Sequence, residues 1–249
     1  MLEEAPYLSL VIPAFNEQET IAQLLARVES ALMPLGKPFE VVIIDDGSAD
    51  DTPRLLGEAM KGRPWLRVLR LAQNSGQSAA FDAGFKAARG QIIATIDADL
   101  QNDPEEIPRL IPMLDGYDMI NGWRRDRHDT PMRKLQSRIA NRIRNWLSDE
   151  TIQDSASSLK VYRRHCLEGI ALYKGMHRFM PTLVKMRGYT VLEVPVKHSP
   201  RFAGTAKYGL RNRALRAFVD LLAVRWMKSR NISYEVAELP RVVETSQRI

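Results

Sequence analysis

The first half of the chain alternates short apolar, β-branched runs with segments of helical period, and this constrains the fold more than any other feature. Leu8–Ile12 is an apolar run closed by Pro13, and Asn16-Glu17 then opens a helical pattern with Ile21, Leu24, Leu25 and Val28 on one face. Glu40–Ile44 is β-branched and ends in the turn cluster Asp45-Asp46-Gly47-Ser48. Asp50 or Asp51 then caps a helix carrying Leu55, Leu56 and Met60. Leu66–Leu71 predicts a third strand, Ser78 to Ala88 an alanine-rich helix stopped at Gly90, and Gln91–Ile96 a fourth strand. Asp103-Pro104-Glu105-Glu106 predicts a helix start. Strands alternating with helices predict an α/β fold, a mostly parallel sheet flanked by helices on both faces.

The second half is less regular. Met132–Leu147 has helical spacing, with Leu135, Ile139, Ile143, Trp146 and Leu147 on one side and Arg133, Lys134, Arg138, Arg142 and Arg144 around them. Val191–Val196 predicts a strand, Arg201–Tyr208 a basic loop and Leu210–Met227 a final helix, followed by a tail of weak periodicity. No internal repeat or low-complexity linker divides the chain, so one domain with a C-terminal helical extension is expected.

Composition narrows the class. Of 249 residues 45% are hydrophobic and 27% charged, which excludes wholesale disorder. The single cysteine, Cys166, excludes a disulfide scaffold and is compatible with a reducing compartment. Thirty-six basic against 30 acidic residues leave a formal charge of +6, which suits an anionic partner or marks a merely basic protein. The acidic start Met1-Leu-Glu-Glu does not read as a secretory signal, and no apolar run approaches the roughly 18 residues a membrane span needs.

Chemistry is expected where the strands end, because ligands of such sheets bind beyond the carboxyl ends. Pro13–Glu17, Asp45–Ser48 and Asp97–Gln101 all lie there. Asp97-Ala98-Asp99-Leu100-Gln101 is the sharpest: two acids two residues apart at an extended tip point the same way and repel unless a cation compensates them. A divalent metal does so and also holds a diphosphate; a capped Asp-rich turn is the plainer alternative. Asp45 and Asp46 read either as turn residues or as acceptors for a base or ribose, and Phe15 either as a stacking platform or as a core plug. No phosphate-binding P-loop, dinucleotide fingerprint or zinc spacing is present.

Together, Val11-Ile-Pro-Ala-Phe-Asn-Glu, Ile44-Asp-Asp-Gly-Ser, Asn74-Ser-Gly-Gln-Ser-Ala-Ala and Asp97-Ala-Asp-Leu-Gln resemble, in order and spacing, family 2 glycosyltransferases of the Rossmann-like GT-A fold. Gly122-Trp-Arg, Asp154-Ser-Ala-Ser-Ser-Leu-Lys, Gly175-Met-His-Arg-Phe and Pro200-Arg-Phe-Ala-Gly-Thr-Ala-Lys-Tyr-Gly resemble its dolichyl- and polyprenyl-phosphate sugar synthase branch, the dolichyl-phosphate mannosyltransferase-like enzymes. The resemblance implies a catalytic domain over residues 1–228, with a nucleotide half near 8–125, an acceptor half near 126–228 and a tail over 229–249. It implies an inverting, Mg²⁺- or Mn²⁺-dependent transfer of a sugar from a nucleotide diphosphate, GDP- or UDP-linked, to a polyprenyl or dolichyl phosphate. By the same resemblance Pro13, Phe15, Glu17, Ile44 and Ala98 line the nucleotide-sugar pocket, Asp46 meets the base, and Asp97 lies near the ribose and diphosphate. Asp99 and Gln101 hold the metal, Arg124, Arg201 and Lys207 gather phosphates, and Arg178, with His177, sits near the sugar or acceptor.

Some features depart from the family. Arg225-Trp226 lacks the Gln of the processive signature, which argues against chain elongation, and Ala206 stands where the branch usually has Ser. A nucleotidyltransferase would need a glycine-rich loop after the first strand, and a nucleic-acid binder would not place acids at three strand ends, so no nucleic-acid partner is expected. A nucleotide-sugar binding module without transfer, or a transferase to another acceptor, is the remaining alternative. A lipid acceptor without a spanning segment implies a peripheral protein on the cytoplasmic face of a membrane, held by its basic apolar helices or by a membrane-embedded partner protein.

Overall fold

The structure, a computed structural model, describes residues 5–124, 152–155, 157–199 and 210–232, of which 210–217 by backbone alone. The four expected strands form as β1 (Leu8–Ala14), β2 (Phe39–Asp45), β3 (Leu66–Arg70) and β4 (Ile92–Thr95). Between them run α1 (Ile21–Leu32), α2 (Thr52–Met60) and α3 (Gln77–Ala87). The described remainder adds α4 (Glu106–Leu110), β5 (Met119–Arg124), β6 (Lys160–Arg163), α5 (Met180–Met186), β7 (Val191–Val196) and α6 (Leu210–Ser229). The expected helix over Met132–Leu147, the loop over Arg201–Tyr208 and the tail beyond Ile232 lie outside the described residues.

The sheet has seven strands in the order β3-β2-β1-β4-β6-β5-β7. It is mostly parallel, as expected, with β6 alone reversed between β4 and β5. β1 supplies both faces by simple alternation: Leu8, Leu10 and Ile12 join the core under α1, α2 and α4, whereas Val11 joins Val42 and Ile44 in the core under α3, α5 and α6. Helix α3 lies very close to the sheet. A Cβ on Gly84 would strike the side chains of Val11 and Ile44, so only glycine permits that approach.

One expectation needs correction. Asp97 and Asp99 do not project from an extended strand: β4 ends at Thr95, opposite Val11, while β1 continues to Ala14. The chain therefore leaves the ladder and turns, with Leu100 at φ 61° in the left-handed region. A turn, not strand alternation, sets the two carboxylates side by side. The helix expected after Asp103 does start there, as α4, and it is short because Pro108 and Pro112 withhold backbone donors and the segment tightens to a 3-10 turn over Ile111–Leu114.

Candidate active site

The loops leaving the carboxyl ends of β1, β2 and β3 are tied into one rim. Asn16, at φ 54°, donates its N–H to Ser48 Oγ (2.9 Å) and accepts the Ala49 N–H at Oδ1 (2.9 Å). Glu17 N–H donates to Thr52 Oγ1 (2.8 Å), and Asp50, rather than Asp51, caps α2 by accepting the Thr52 N–H (3.0 Å). Gly47, at φ 70°, lies so near the β3 loop that a Cβ would come within 2.7 Å of Asn74 N.

Asp46 is buried, and both its oxygens are used. Oδ1 accepts the Ser75 N–H (2.7 Å), while Oδ2 accepts the Gly76 N–H (2.8 Å) and Asn74 Nδ2 (3.1 Å). Beside the base contact that the resemblance implies, Asp46 therefore fixes the entry to α3. Asp45 beside it accepts the Ser48 N–H at Oδ1 (2.9 Å) and has Arg70 Nε 3.1 Å from Oδ2, although not in hydrogen-bond geometry. Pro13, Phe15 and Glu17 are half-buried at the rim. Ile44 and Ala98 are buried, one in each of the two cores.

The electrostatic centre lies where β4 and β6 meet. Asp97 accepts Gln77 Nε2 from the start of α3 (2.7 Å) and a hydrogen bond from Ser158. Burial and then the neighbouring Asp99 charge push its pKa up to about 6, against the partial relief of Ser158, Lys160 and Arg124. Asp99 is buried and accepts the Gln101 N–H at Oδ1 (3.2 Å). Across from them Arg124 grips the buried Asp154 with two bonds, Nε to Oδ2 at 2.6 Å and Nη2 to Oδ1 at 3.0 Å.

The residues fit a divalent cation. Asp97 and Asp99, with Gln101 two residues on, are of the hard oxygen-donor type that such an ion takes, and burial and then the Asp99 charge raise the Asp97 pKa. The buried acceptors Asn102 Oδ1 and Asn121 Oδ1, one beside Gln101 and one on β5, have no donor among the described residues. No group of three or more His, Cys, Asp or Glu gathers among those residues.

Arg178 is placed differently from the other candidates. Its Nη2 reaches Asp220 of α6 at 3.3 Å and its Nε donates to Gly175 O at 3.4 Å, so it joins the turn over Met176–Phe179 to the final helix. His177 points back to α3, with Nδ1 2.7 Å from Ser78 Oγ, which also accepts the Gly175 N–H (2.9 Å). Burial, with Arg178 and Lys160 nearby, lowers the His177 pKa to about 3, so this ring is neutral at physiological pH. Arg201 and Lys207 lie outside the described residues.

Sequence reasoning assigned no role to Lys160, Ser158 or Asp154, although all three lie in a segment it singled out. A lysine inside the apolar run Leu159-Lys-Val-Tyr162 was the available signal. The cavity lined by Tyr7, Gln91, Arg163 and His165 opens at the opposite end of β4 and β6 and takes no part in this site.

Comparison with known proteins agrees with the geometry. Residues 9–170 match the model of glycosyl transferase family 2. The undecaprenyl-phosphate 4-deoxy-4-formamido-L-arabinose transferase of Klebsiella pneumoniae is 39% identical over 217 residues, 86% of this chain and 66% of that protein. Its counterpart in Edwardsiella ictaluri is 39% identical over 207 residues, 82% of this chain and 63% of that protein. The chain thus spans about two thirds of the length of these relatives. Among solved structures, a Pyrobaculum calidifontis mannosyltransferase in complex with GDP-mannose and Mn²⁺ superposes with a TM-score of 0.64 at 19% identity, over 93% of this chain and 66% of that one. Glucosyl-3-phosphoglycerate synthase of Mycobacterium tuberculosis, with Mn²⁺, UDP and phosphoglyceric acid, gives 0.68 at 18% identity over 92% and 80%. These likenesses establish the GT-A architecture, and with the match over residues 9–170 the chain belongs to glycosyl transferase family 2.

Proposed function

We propose that the chain is an inverting, metal-dependent transferase that moves a sugar from a nucleotide diphosphate to a polyprenyl phosphate. The observation that carries this reading is the meeting of the Asp97–Asp99 pair with Arg124 and Lys160 at the carboxyl end of the sheet. A site of this kind binds one anion through a cation and a second through fixed positive side chains. The 39% identity with undecaprenyl-phosphate transferases supports a lipid phosphate as acceptor.

In this reading the half-buried Phe15 and Glu17 line the nucleotide pocket, and Asp97, ionised at neutral pH, accepts hydrogen bonds from the ribose. A divalent ion, Mg²⁺ or Mn²⁺, held by Asp99 and Gln101 would offset charge on the departing diphosphate. Arg124, kept rigid by Asp154, gathers the acceptor phosphate, with Arg201 and Lys207 as further cations. A phosphate monoester has a second pKa of about 6 and is already ionised, so no general base need be found for it. What the protein must overcome is repulsion between two anionic substrates, and fixed charges in a partly dry site do that without reorganisation.

The acceptor lipid brings the site to a membrane surface, which we place on the cytoplasmic side. No helix among the described residues is long and apolar enough to cross a bilayer. Helix α6 buries Leu221 and Val224 against the core and exposes Phe218, Val219, Leu222 and Trp226, the last 65% exposed. On a 100° helical wheel these four share one stripe, with Arg225 and Arg230 on its two borders. That is the pattern of a helix lying in an anionic lipid interface. A membrane-embedded partner protein is the other means of recruitment.

The test is a donor screen with undecaprenyl phosphate and Mn²⁺, the products read by mass. It includes the GDP- and UDP-linked hexoses implied by the family resemblance and a nucleotide-linked 4-deoxy-4-formamido-L-arabinose, the sugar that the relatives' names carry. A lipid-phosphate sugar supports the proposal. Binding of nucleotide sugars with no transfer to any acceptor would leave the chain a binding module.

A further inference from the structure

A lysine costs much to bury, and β6 buries one at its first position: Lys160 is 3% exposed. Its place is fixed from several sides. In the sheet it stands opposite Thr95, two residues before Asp97, and on its other edge opposite Asn121 of β5. Its ammonium donates to Ser157 O. The adjacent Ser158 ties the same segment to β4, accepting Thr95 Oγ1 at its carbonyl (2.6 Å), accepting Asn102 Nδ2 at its hydroxyl (2.7 Å) and bonding Asp97. The charges that act on Lys160 are Asp154 and Asp97, which favour the cation, and Arg124, which opposes it. Burial draws its pKa down to about 8, which still leaves it charged at neutral pH.

The charges around this point can be counted. Asp97, Asp99 and Asp154 contribute three negative charges, Lys160 and Arg124 two positive ones, and the sum is −1. A divalent ion alone inverts the sum to +1. With a nucleotide diphosphate the same ion enters as part of an anionic or neutral pair, and no excess of positive charge arises. Without Lys160 the balance begins at −2, which a bare divalent ion neutralises.

We propose that Lys160 is a built-in counter-cation that makes metal binding depend on the nucleotide diphosphate. It occupies, from beneath, part of the field that a metal would otherwise fill, so the ion enters with the donor and leaves with the spent diphosphate. It also divides the labour of the two carboxylates: Asp97 is compensated by the protein's own cation, while Asp99 takes the exchangeable one. Lys160 is thus a positioning residue, and the inference rests on the metal role of Asp99 and Gln101 proposed above.

Titration calorimetry with Mn²⁺, in the absence and presence of UDP or GDP, tests it on the purified chain. Wild-type protein should bind Mn²⁺ at least about tenfold more tightly with the nucleotide than without. Lys160→Met should close most of that gap by tightening the nucleotide-free site about tenfold, and Lys160→Arg should preserve it. Equal or weaker nucleotide-free Mn²⁺ binding by Lys160→Met overturns the proposal while leaving the metal reading intact. A wild-type protein that binds no Mn²⁺ even with nucleotide overturns the metal reading and this proposal with it. Should Lys160→Met fail to fold, the double variant K160M/D97N, which removes the cation together with its partner, is expected to fold and to melt within a few degrees of D97N. A double variant that also fails to fold shows that Lys160 supplies packing rather than charge balance, and the proposal falls.

Discussion

Replacing Asp97 by Asn should stabilise the metal-free protein while removing a residue of its active site. Burial and the Asp99 charge raise the Asp97 pKa from 3.8 to about 6, so the folded state holds this proton more tightly than the unfolded chain does. The resulting stabilisation is fully present below about pH 4 and is lost as pH rises through about 6. At neutral pH an ionised Asp97 is therefore a net cost. A shift of two units corresponds to about 3 kcal/mol. Asp97 keeps part of its surface at the rim, water relieves some of that cost, and about 1–2 kcal/mol remains to be recovered. Asparagine keeps the shape: its oxygen still accepts Gln77 Nε2, and its amide can donate to the Ser158 hydroxyl. For a chain of this size the gain is roughly 2–8 °C in Tm. Thermal denaturation with chelator present, at about pH 7.5 and about pH 4.5, measures it. The gain should be full at the higher pH and about a third of that at the lower. A fall in Tm at pH 7.5, or an equal gain at both, would refute the reasoning.

Other consequences follow from the same geometry. Asp99→Asn keeps the shape but removes a ligand charge, so turnover should fall about 100-fold or more, with full activity in excess chelator as the contrary result. Asp154→Asn removes the charge that Arg124 grips, turns one of its two acceptors into an amide donor and strips Lys160 of a counter-charge; a loss of about 3 kcal/mol is expected from a buried pair broken on one side, read from urea denaturation, and a change below about 0.5 kcal/mol would contradict it. The protein should sediment with anionic vesicles at low salt, and Leu222→Asp together with Trp226→Ser should release it; sedimentation unaffected by the two changes would move the contact away from α6.

The sequence made the left half of the sheet legible because its strands are apolar runs closed by polar turns, so the ends of β1, β2 and β3 fall within two residues of expectation. β7 matches its expected span, Val191–Val196. β5 and β6 escaped for physical reasons. Asn121 and Gly122 interrupt any apolar pattern in β5, where Gly122 is needed because a Cβ would meet Leu159 O at 2.8 Å. β6 is four residues long and begins with a charged one. The spacing of Asp97 and Asp99 marks the pair in the sequence, but a turn and not strand periodicity unites it. Asp46 shows the limit of reading residues singly: its three bonds to residues 74–76 depend on a partner segment that no local pattern predicts. Lys160 was hidden likewise, because its role arises only when β6 runs between β4 and β5 and brings the lysine within reach of the Asp97 and Asp154 charges.

The central claim is that the acceptor is a phosphate, already ionised, and that the site is built to hold it against an anionic donor. Purified protein given one labelled nucleotide sugar, Mn²⁺, and either undecaprenyl phosphate or undecaprenol tests this directly. The first should give a lipid-monophosphate sugar with the anomeric configuration inverted, and the alcohol should give no product. Transfer to undecaprenol at a comparable rate would contradict it.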